Sequence, residues 1–378
     1  MTFPAYWEER RKPRRVHNGG VNATTSDRGR APRARLIVAA VLAVLLLLAF
    51  ITPLPYVIEY PGPAVNTIGE VEGKPVISIE GHPSYPTSGQ LDLTTVSIAG
   101  APGHSVYAGD VLRGWFDPHA RVIPREAIFP EGLSASTNEA FNVANMNSSQ
   151  QEAIAQAVTA LGKEVTPLVL IGAVRQGGPA DGVLEPGDEV VQVAGKPAGS
   201  LQEVREATAS TPAGQKVQMQ VRRAGKLIDL QVPTETSGGK SRVGVVLVRG
   251  YRFPFEVKIS LDNIGGPSAG MMFALGVYDK LTPGELTGGK NIAGTGTIDT
   301  GDGKVGRIGG IAQKMIGARN SGARFFLAPA DNCKEVRGNV PDGLEVVRVG
   351  TFQEALHAVE TIGKTGNIKG LPTCAASR

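Results

Sequence analysis

The longest apolar run lies near the start of the chain. Positions 36–51 are almost wholly Leu, Val, Ala and Ile, and no charged residue occurs from 36 to 58. That length suffices to cross a bilayer even though Pro53 and Pro55 would end a helix early, so one membrane-spanning helix is predicted over 36–55. Beyond it the patterns shorten. Positions 76–79 and 91–98 have strand character inside a Gly- and Pro-rich stretch, 59–130. Ser149-Gln150-Gln151-Glu152 has the form of a capping box ahead of Ile154, Ala157, Val158 and Leu161, which predicts an amphipathic helix over 149–162. A second box, Ser200 with Glu203, opens a helix presenting Leu201, Val204 and Ala207. Alternation at Val217, Met219 and Val221, then at Ile228, Leu230 and Val232, predicts a hairpin turning at Ala224-Gly225. A strand is expected over 255–260 and a helix over 271–277. On a helix following Gly310, Ile311, Lys314, Met315 and Ala318 share one face. Strands at 324–327 and 345–349 precede a closing helix over 351–362, opened by the box Thr351-Phe352-Gln353-Glu354.

Charge changes the picture at the N-terminus. The whole chain of 378 residues carries +4, but residues 1–35 alone hold nine basic and three acidic side chains, so the remainder is at −2 and a nucleic-acid function loses its basis. The Arg-rich tail reads as disordered and, lying before the apolar run, places the N-terminus in the cytoplasm and the rest outside. A secretory signal peptide is the alternative. The tail is long for one and no A-x-A-like site follows the run, which favours an uncleaved anchor. His82, His104 and His119 have no metal-ligand spacing, and neither a metal nor a cofactor is expected. Cys333 and Cys374 are the only cysteines. Outside the cytoplasm an even count suggests a disulfide tying down the C-terminal tail, but two free thiols stay open because sequence gives no distance.

Candidate chemistry concentrates between 262 and 314. In Gly266-Pro267-Ser268-Ala269-Gly270 the small residues bring the backbone close to a ligand, and Pro267 suits a first helical turn. Ser268 would then sit at a helix N-terminus, where unpaired N–H groups can hold an oxyanion. Lys314 is the charged member of an apolar stripe, and burial lowers a lysine pKa, so its neutral amine could take the proton of Ser268. Two other motifs are set aside. GPSAG also satisfies G-x-S-x-G, but the only histidine that follows is His357, within an ordinary amphipathic helix. Gly239-Lys240-Ser241 resembles the end of a P-loop, but Thr234 stands where its first glycine is needed.

Three features, the GPSAG box at 266–270, Thr295-Gly296, and the IGGxxxK box at 308–314, closely resemble the proteolytic domain of the Lon protease family in order and spacing. The resemblance implies a serine–lysine dyad with Ser268 as nucleophile and Lys314 as base. Thr295 matches the family's threonine, a structural role at a strand end being equally open for it; Gly266 and Pro267 would support the loop. Lon enzymes often carry Lys-Asp before this box, where this chain has Ile264-Gly265, so nothing is transferred there. A second resemblance, GGPADGVLEPGDEVVQVAG at 177–195, is to bacterial PDZ domains, and implies a polypeptide groove beside Leu201, Val204 and Ala207, unless that groove is closed against the protease. The expected fold class is α+β: a Lon-type proteolytic domain with an inserted PDZ domain, preceded by one transmembrane helix. The expected division is a basic tail at 1–35, the span at 36–55, an N-terminal part of the protease region at 56–164, the PDZ domain at 165–233, the Lon-type domain at 240–362 and a tail at 363–378. The function implied is an ATP-independent, membrane-anchored endopeptidase acting on extracytoplasmic polypeptides. The family's hexameric rings also raise a homo-oligomer. The alternatives are a Ser-His hydrolase of another class and a non-catalytic PDZ scaffold.

Overall fold

The apolar run forms helix α1 (Ala31–Ile51), whose segment Ala34–Ile51 has a mean hydropathy of 2.9. Its 21 residues rise about 31 Å, close to the hydrocarbon thickness of a bilayer. The helix starts before the expected position 36 and stops at Ile51 rather than at 55. Pro53 has no N–H to continue it, and the Thr52 hydroxyl donates to the Leu48 carbonyl at 2.7 Å. The computed structural model describes residues 31–129, 135–212, 214–261 and 265–375, so most of the basic tail, together with Asp262, Asn263 and Ile264, lies outside the described residues. The chain divides into two units, Met1–Thr52 and Pro53–Arg378.

In the second unit, strands far apart in sequence share a sheet. β1 (Tyr56–Asn66) is followed by β2 (Ile77–Glu80), β3 (Gln90–Ala99), helix α2 (Ala108–Phe116) and β4 (Arg121–Pro124). Near the C-terminus come β11 (Asn291–Gly294), helix α6 (Ile311–Asn320), β12 (Phe325–Pro329), β13 (Glu345–Val349) and helix α8 (Phe352–Thr365). The six strands run in the order β13-β12-β11-β3-β1-β4. β11 pairs in parallel with β3 on one side and β12 on the other, while β1 is antiparallel to both β3 and β4. Strand β12 is buried throughout and alternates: Phe325 and Leu327 pack in the cluster with α8 and helix α5 (Gly270–Leu281), Phe326 and Ala328 with α6. The two helices that flank the candidate chemistry thus cover opposite faces of one sheet.

The stretch between these halves builds a second sheet. It contains β5 (Thr166–Val174), β6 (Glu189–Val193), helix α4 (Leu201–Ala209), β7 (Lys216–Arg223), β8 (Lys226–Pro233) and β9 (Val245–Arg252), ordered β8-β7-β6-β5-β9. The hairpin has the expected register, Val217 opposite Val232, Met219 opposite Leu230 and Val221 opposite Ile228. Ser200 caps α4 by accepting from the Glu203 N–H. Buried Asp188 is held by two 2.7 Å bonds from Arg223. The sheet itself continues past the hairpin. β9 pairs with β5 over 245–252, and Val243, Val245 and Leu247 belong to the same core, because the sheet takes its outer strand from residues after the hairpin.

Helix α3 (Ala135–Ala160) corrects a second expectation, since it starts fourteen residues before Ser149. Residues 135–148 are rich in Ser and Asn, weak helix formers, but tertiary packing overrides propensity: Ala140 and Ala144 pack on Ala173 and Val248 of the second sheet. The later turns, through Met146, Ile154 and Val158, enter the core of the first sheet. Strand β10 (Glu256–Ile259) then pairs with β2, returning the chain to the first sheet.

Cys333 and Cys374 form a disulfide across 41 residues, tying the C-terminal segment to helix α7 (Cys333–Val336). A loop of that length implies about 4 kcal/mol of stabilisation in the chain-entropy picture. Cys374→Ser, or reduction, should lower the denaturation midpoint correspondingly; an unchanged midpoint would mean that the bridge does not constrain the unfolded chain.

Candidate active site

The site lies where β11 ends and the two faces of the first sheet meet. Its first part is the turn ahead of α5. The helix begins at Gly270 with Ala269 as N-cap, so Pro267 stands in the preceding turn rather than in the first helical turn. Gly266 takes φ +89, open to glycine and strained for other residues. The Ser268 carbonyl accepts from the Gly296 N–H at 2.8 Å and from the Thr295 hydroxyl at 3.0 Å. The Pro267 carbonyl accepts from Ser149 Oγ of α3 at 3.1 Å. Among the described residues, the N–H groups of Ser268 and Ala269 have no acceptor.

The second part comes from the opposite face. Gly310 adopts φ +66 at the start of α6, and a Cβ there would lie 2.8 Å from Val96, so the helix enters against the sheet where only glycine fits. Fully buried Asn332 fixes this entry, accepting from the Ile308 N–H at 3.0 Å and donating to the Ile308 carbonyl at 2.9 Å. Ile311, Lys314, Met315 and Ala318 are buried, as the stripe predicts. Gln313 is buried as well, its amide donating to the His119 carbonyl.

Lys314 is 3 % exposed, and its Nζ donates to Ser268 Oγ at 2.7 Å and to Thr295 Oγ1 at 3.0 Å. Thr295, with no exposed surface, is thus bonded to both: it accepts from the lysine and donates to the serine carbonyl. Burial pushes the Lys314 pKa down to about 8, and the carboxylate of Glu59 opposes that shift. Glu59 lies on β1, 4 % exposed, with Arg121 at 3.6 Å. Burial raises its own pKa, while Arg121 and then Lys314 draw it back. His357 is exposed on α8 and, among the described residues, hydrogen-bonds to nothing.

Sequence reasoning missed Glu59, Ser149 and Asn332. For Glu59 a signal existed: it is a lone charge within the apolar run Tyr56-Val57-Ile58-Glu59-Tyr60. Ser149 and Glu152 were read as a cap but lie inside α3, where Ser149 braces Pro267 and Glu152 accepts from Tyr251 and Thr300. Of the three α4 residues expected beside a groove, Val204 and Ala207 are buried in the core of the second sheet, and only Leu201 is half-buried.

Comparison with known proteins gives this geometry a class. Residues 263–361 match the Lon protease (S16) C-terminal proteolytic domain, and residues 150–234 match the PDZ domain. The chain therefore carries a Lon-type proteolytic domain combined with a PDZ domain. Lon protease 2 of Bacillus subtilis (strain 168) is 34% identical over 96 residues, which is 25% of this chain and 17% of that enzyme. The Lon protease of Azospirillum brasilense is 38% identical over 98 residues, 25% of this chain and 12% of its own length. The chain thus spans less than a fifth of the length of these relatives. The solved PDZ domain of an SdrC-like protein from Listeria monocytogenes aligns at 24% identity, covering 21% of this chain and 86% of that one, with a TM-score of 0.20.

The buried amine leaves a thermodynamic trace. An unfolded lysine keeps its proton up to its ordinary value of 10.5, whereas native Lys314 releases it near 8. Between those values the native state binds fewer protons, so this group's contribution to stability is lowest below about pH 8 and rises with pH through the window. Lys314→Met does not titrate. Denaturation midpoints from about pH 7.5 to about 10 should therefore climb for the wild type relative to the variant, and parallel profiles would place the amine in solvent.

Proposed function

We propose that the chain is a membrane-anchored, ATP-independent serine endopeptidase in which Ser268 and Lys314 form the catalytic dyad. The observation that carries this reading is the 2.7 Å contact between Ser268 Oγ and a lysine amine enclosed at 3 % exposure. With that amine neutral, the serine hydroxyl donates to Nζ. Oγ attacks the scissile carbonyl carbon as its proton passes to Lys314, and the oxyanion is received by the N–H groups of Ser268 and Ala269. Collapse expels the amine product, which takes the proton back from the ammonium, and water hydrolyses the ester with Lys314 again as base. Thr295 orients the amine by accepting one of its N–H bonds, and Gly266 and Pro267 shape the turn.

The proteolytic domain draws on 56–164 as well as on the chain after β9, and the PDZ domain is inserted between. Polypeptide is recruited by adding a strand along β9, the outer strand of its sheet, near α4. Helix α1 anchors the protein, with the Arg-rich tail in the cytoplasm and the rest outside. The Cys333–Cys374 disulfide supports that placement, since such bonds persist in oxidising compartments.

Ser268→Ala should abolish peptide cleavage while preserving the fold. Lys314→Arg, always protonated, should be as inactive as Lys314→Met, whereas His357→Ala should retain most activity. The rate should rise with pH through a limb near 8, because only the neutral amine accepts the serine proton. Glu59→Gln removes the charge that holds this pKa up and should move the limb to lower pH. An active Lys314→Arg beside an inactive, folded His357→Ala would establish the Ser-His alternative, and failure of the wild type to react with a fluorophosphonate would favour the scaffold.

Orientation has its own test. Protease added to intact cells should digest the Ser268 region and spare an epitope at the N-terminus. The opposite pattern would reverse the topology.

A further inference from the structure

Helix α2 presents an apolar face that nothing among the described residues covers. Val111 and Gly114 seat it on Ile58 and Val122, so closely that a Cβ on Gly114 would lie 2.9 Å from Val122. Leu112, Trp115 and Phe116 stand at i, i+3 and i+4, on one side of the helix, and are 39%, 64% and 85% exposed. Three large apolar side chains turned to water on one nine-residue helix require an occupant.

Connectivity identifies it. The apolar helix α1 ends at Ile51, and three residues later the Leu54 N–H donates to the Val106 carbonyl at 2.8 Å. Val106 is followed by Tyr107, the N-cap of α2. The Arg125 N–H in turn donates to the Pro55 carbonyl at 2.9 Å, so the segment leaving the span is fixed at both of these points. Three extended residues reach about 10 Å, so only that length of chain separates the last residue of α1 from Leu54, which is bonded beside the start of α2. A short helix with Trp and Phe on its free face suits the boundary between headgroups and acyl chains. The charges around it balance: Arg113, Arg121 and Arg125 against Asp110, Asp117 and Glu126. Insertion is therefore apolar and does not depend on anionic lipid.

We infer that α2 is a second membrane contact, docking through Leu112, Trp115 and Phe116 into the outer surface of the bilayer that α1 crosses. This rests on α1 being the anchor proposed above. Docked in this way, the proteolytic domain is held at the membrane by two points instead of swinging on one tether.

The chain has two tryptophans, so Trp7→Phe leaves Trp115 as the sole emitter. The full-length variant would be reconstituted into phosphatidylcholine vesicles, with and without acyl chains brominated close to the headgroup. Flotation on a density gradient reports the anchor, and Trp115 emission reports docking. The expected result is a floating protein whose emission is blue-shifted and quenched about twofold or more by the brominated lipid, as for an interfacial tryptophan. Adding Leu112→Ser and Phe116→Ser, both at exposed positions, should abolish the quenching while flotation and peptide cleavage persist. Flotation with unquenched, acrylamide-accessible Trp115 overturns the docking and leaves the anchor standing. Trp115 shielded from acrylamide but not quenched by brominated lipid also overturns it, in favour of a protein surface such as a second copy. Failure to float removes the anchor and this inference with it.

Discussion

The enclosure of one amine sets the conditions for the rest of the site. A lysine can be buried among apolar side chains only if its polar atom is satisfied and its charge is weakened, and Lys314 meets both requirements through two hydroxyls and a desolvated position. Those hydroxyls come from different segments. Ser268 precedes the helix on one face of the sheet, Lys314 rides on the helix of the other, and Thr295 follows the strand between them. The geometry therefore depends on both faces packing correctly. Glu59 completes the balance: a bare carboxylate in direct contact would keep the lysine charged, whereas one tempered by its own burial and by Arg121 only moderates the shift.

What was legible in the sequence is what is local. The GPSAG and IGGxxxK boxes announce two tight turns, and the apolar stripe around Lys314 announces its burial before any fold is known. The caps at Ser200 and Thr351 and the register of the β7–β8 hairpin follow from neighbours within a few residues. The support around Ser268 and Lys314 is non-local and left little trace: Ser149 meets Pro267 across 118 residues, and Glu59 sits near Lys314 only because β1 underlies α6. The capping-box reading failed for a related reason. Serine and glutamate three apart share one side of a helix at any point along it, and in α3 that side serves tertiary contacts. β9 left no sign of its partner either, because strand character carries no record of the sheet that a strand joins.

Helix α3 joins the two sheets into one mechanical piece. Its first turns pack on the PDZ sheet and its later turns pack beneath α5, while Ser149 holds the turn that carries Ser268. A displacement of the second sheet thus bears on an element that also braces the turn carrying Ser268, so the two sheets are not independently moving bodies.

The interleaved sheet also dictates an order of assembly. Gln90 on β3 lies beside Asn291 on β11, two strands at the centre of the sheet but some two hundred residues apart in the chain. The PDZ sheet, by contrast, closes within residues 166–252. As the chain is synthesised, the second sheet can finish folding while β3 still waits for its parallel partner β11. Lys314 can meet Ser268 only after α6 emerges. The enclosure of the Lys314 amine is therefore among the last features of the chain to form, after the second sheet is already complete.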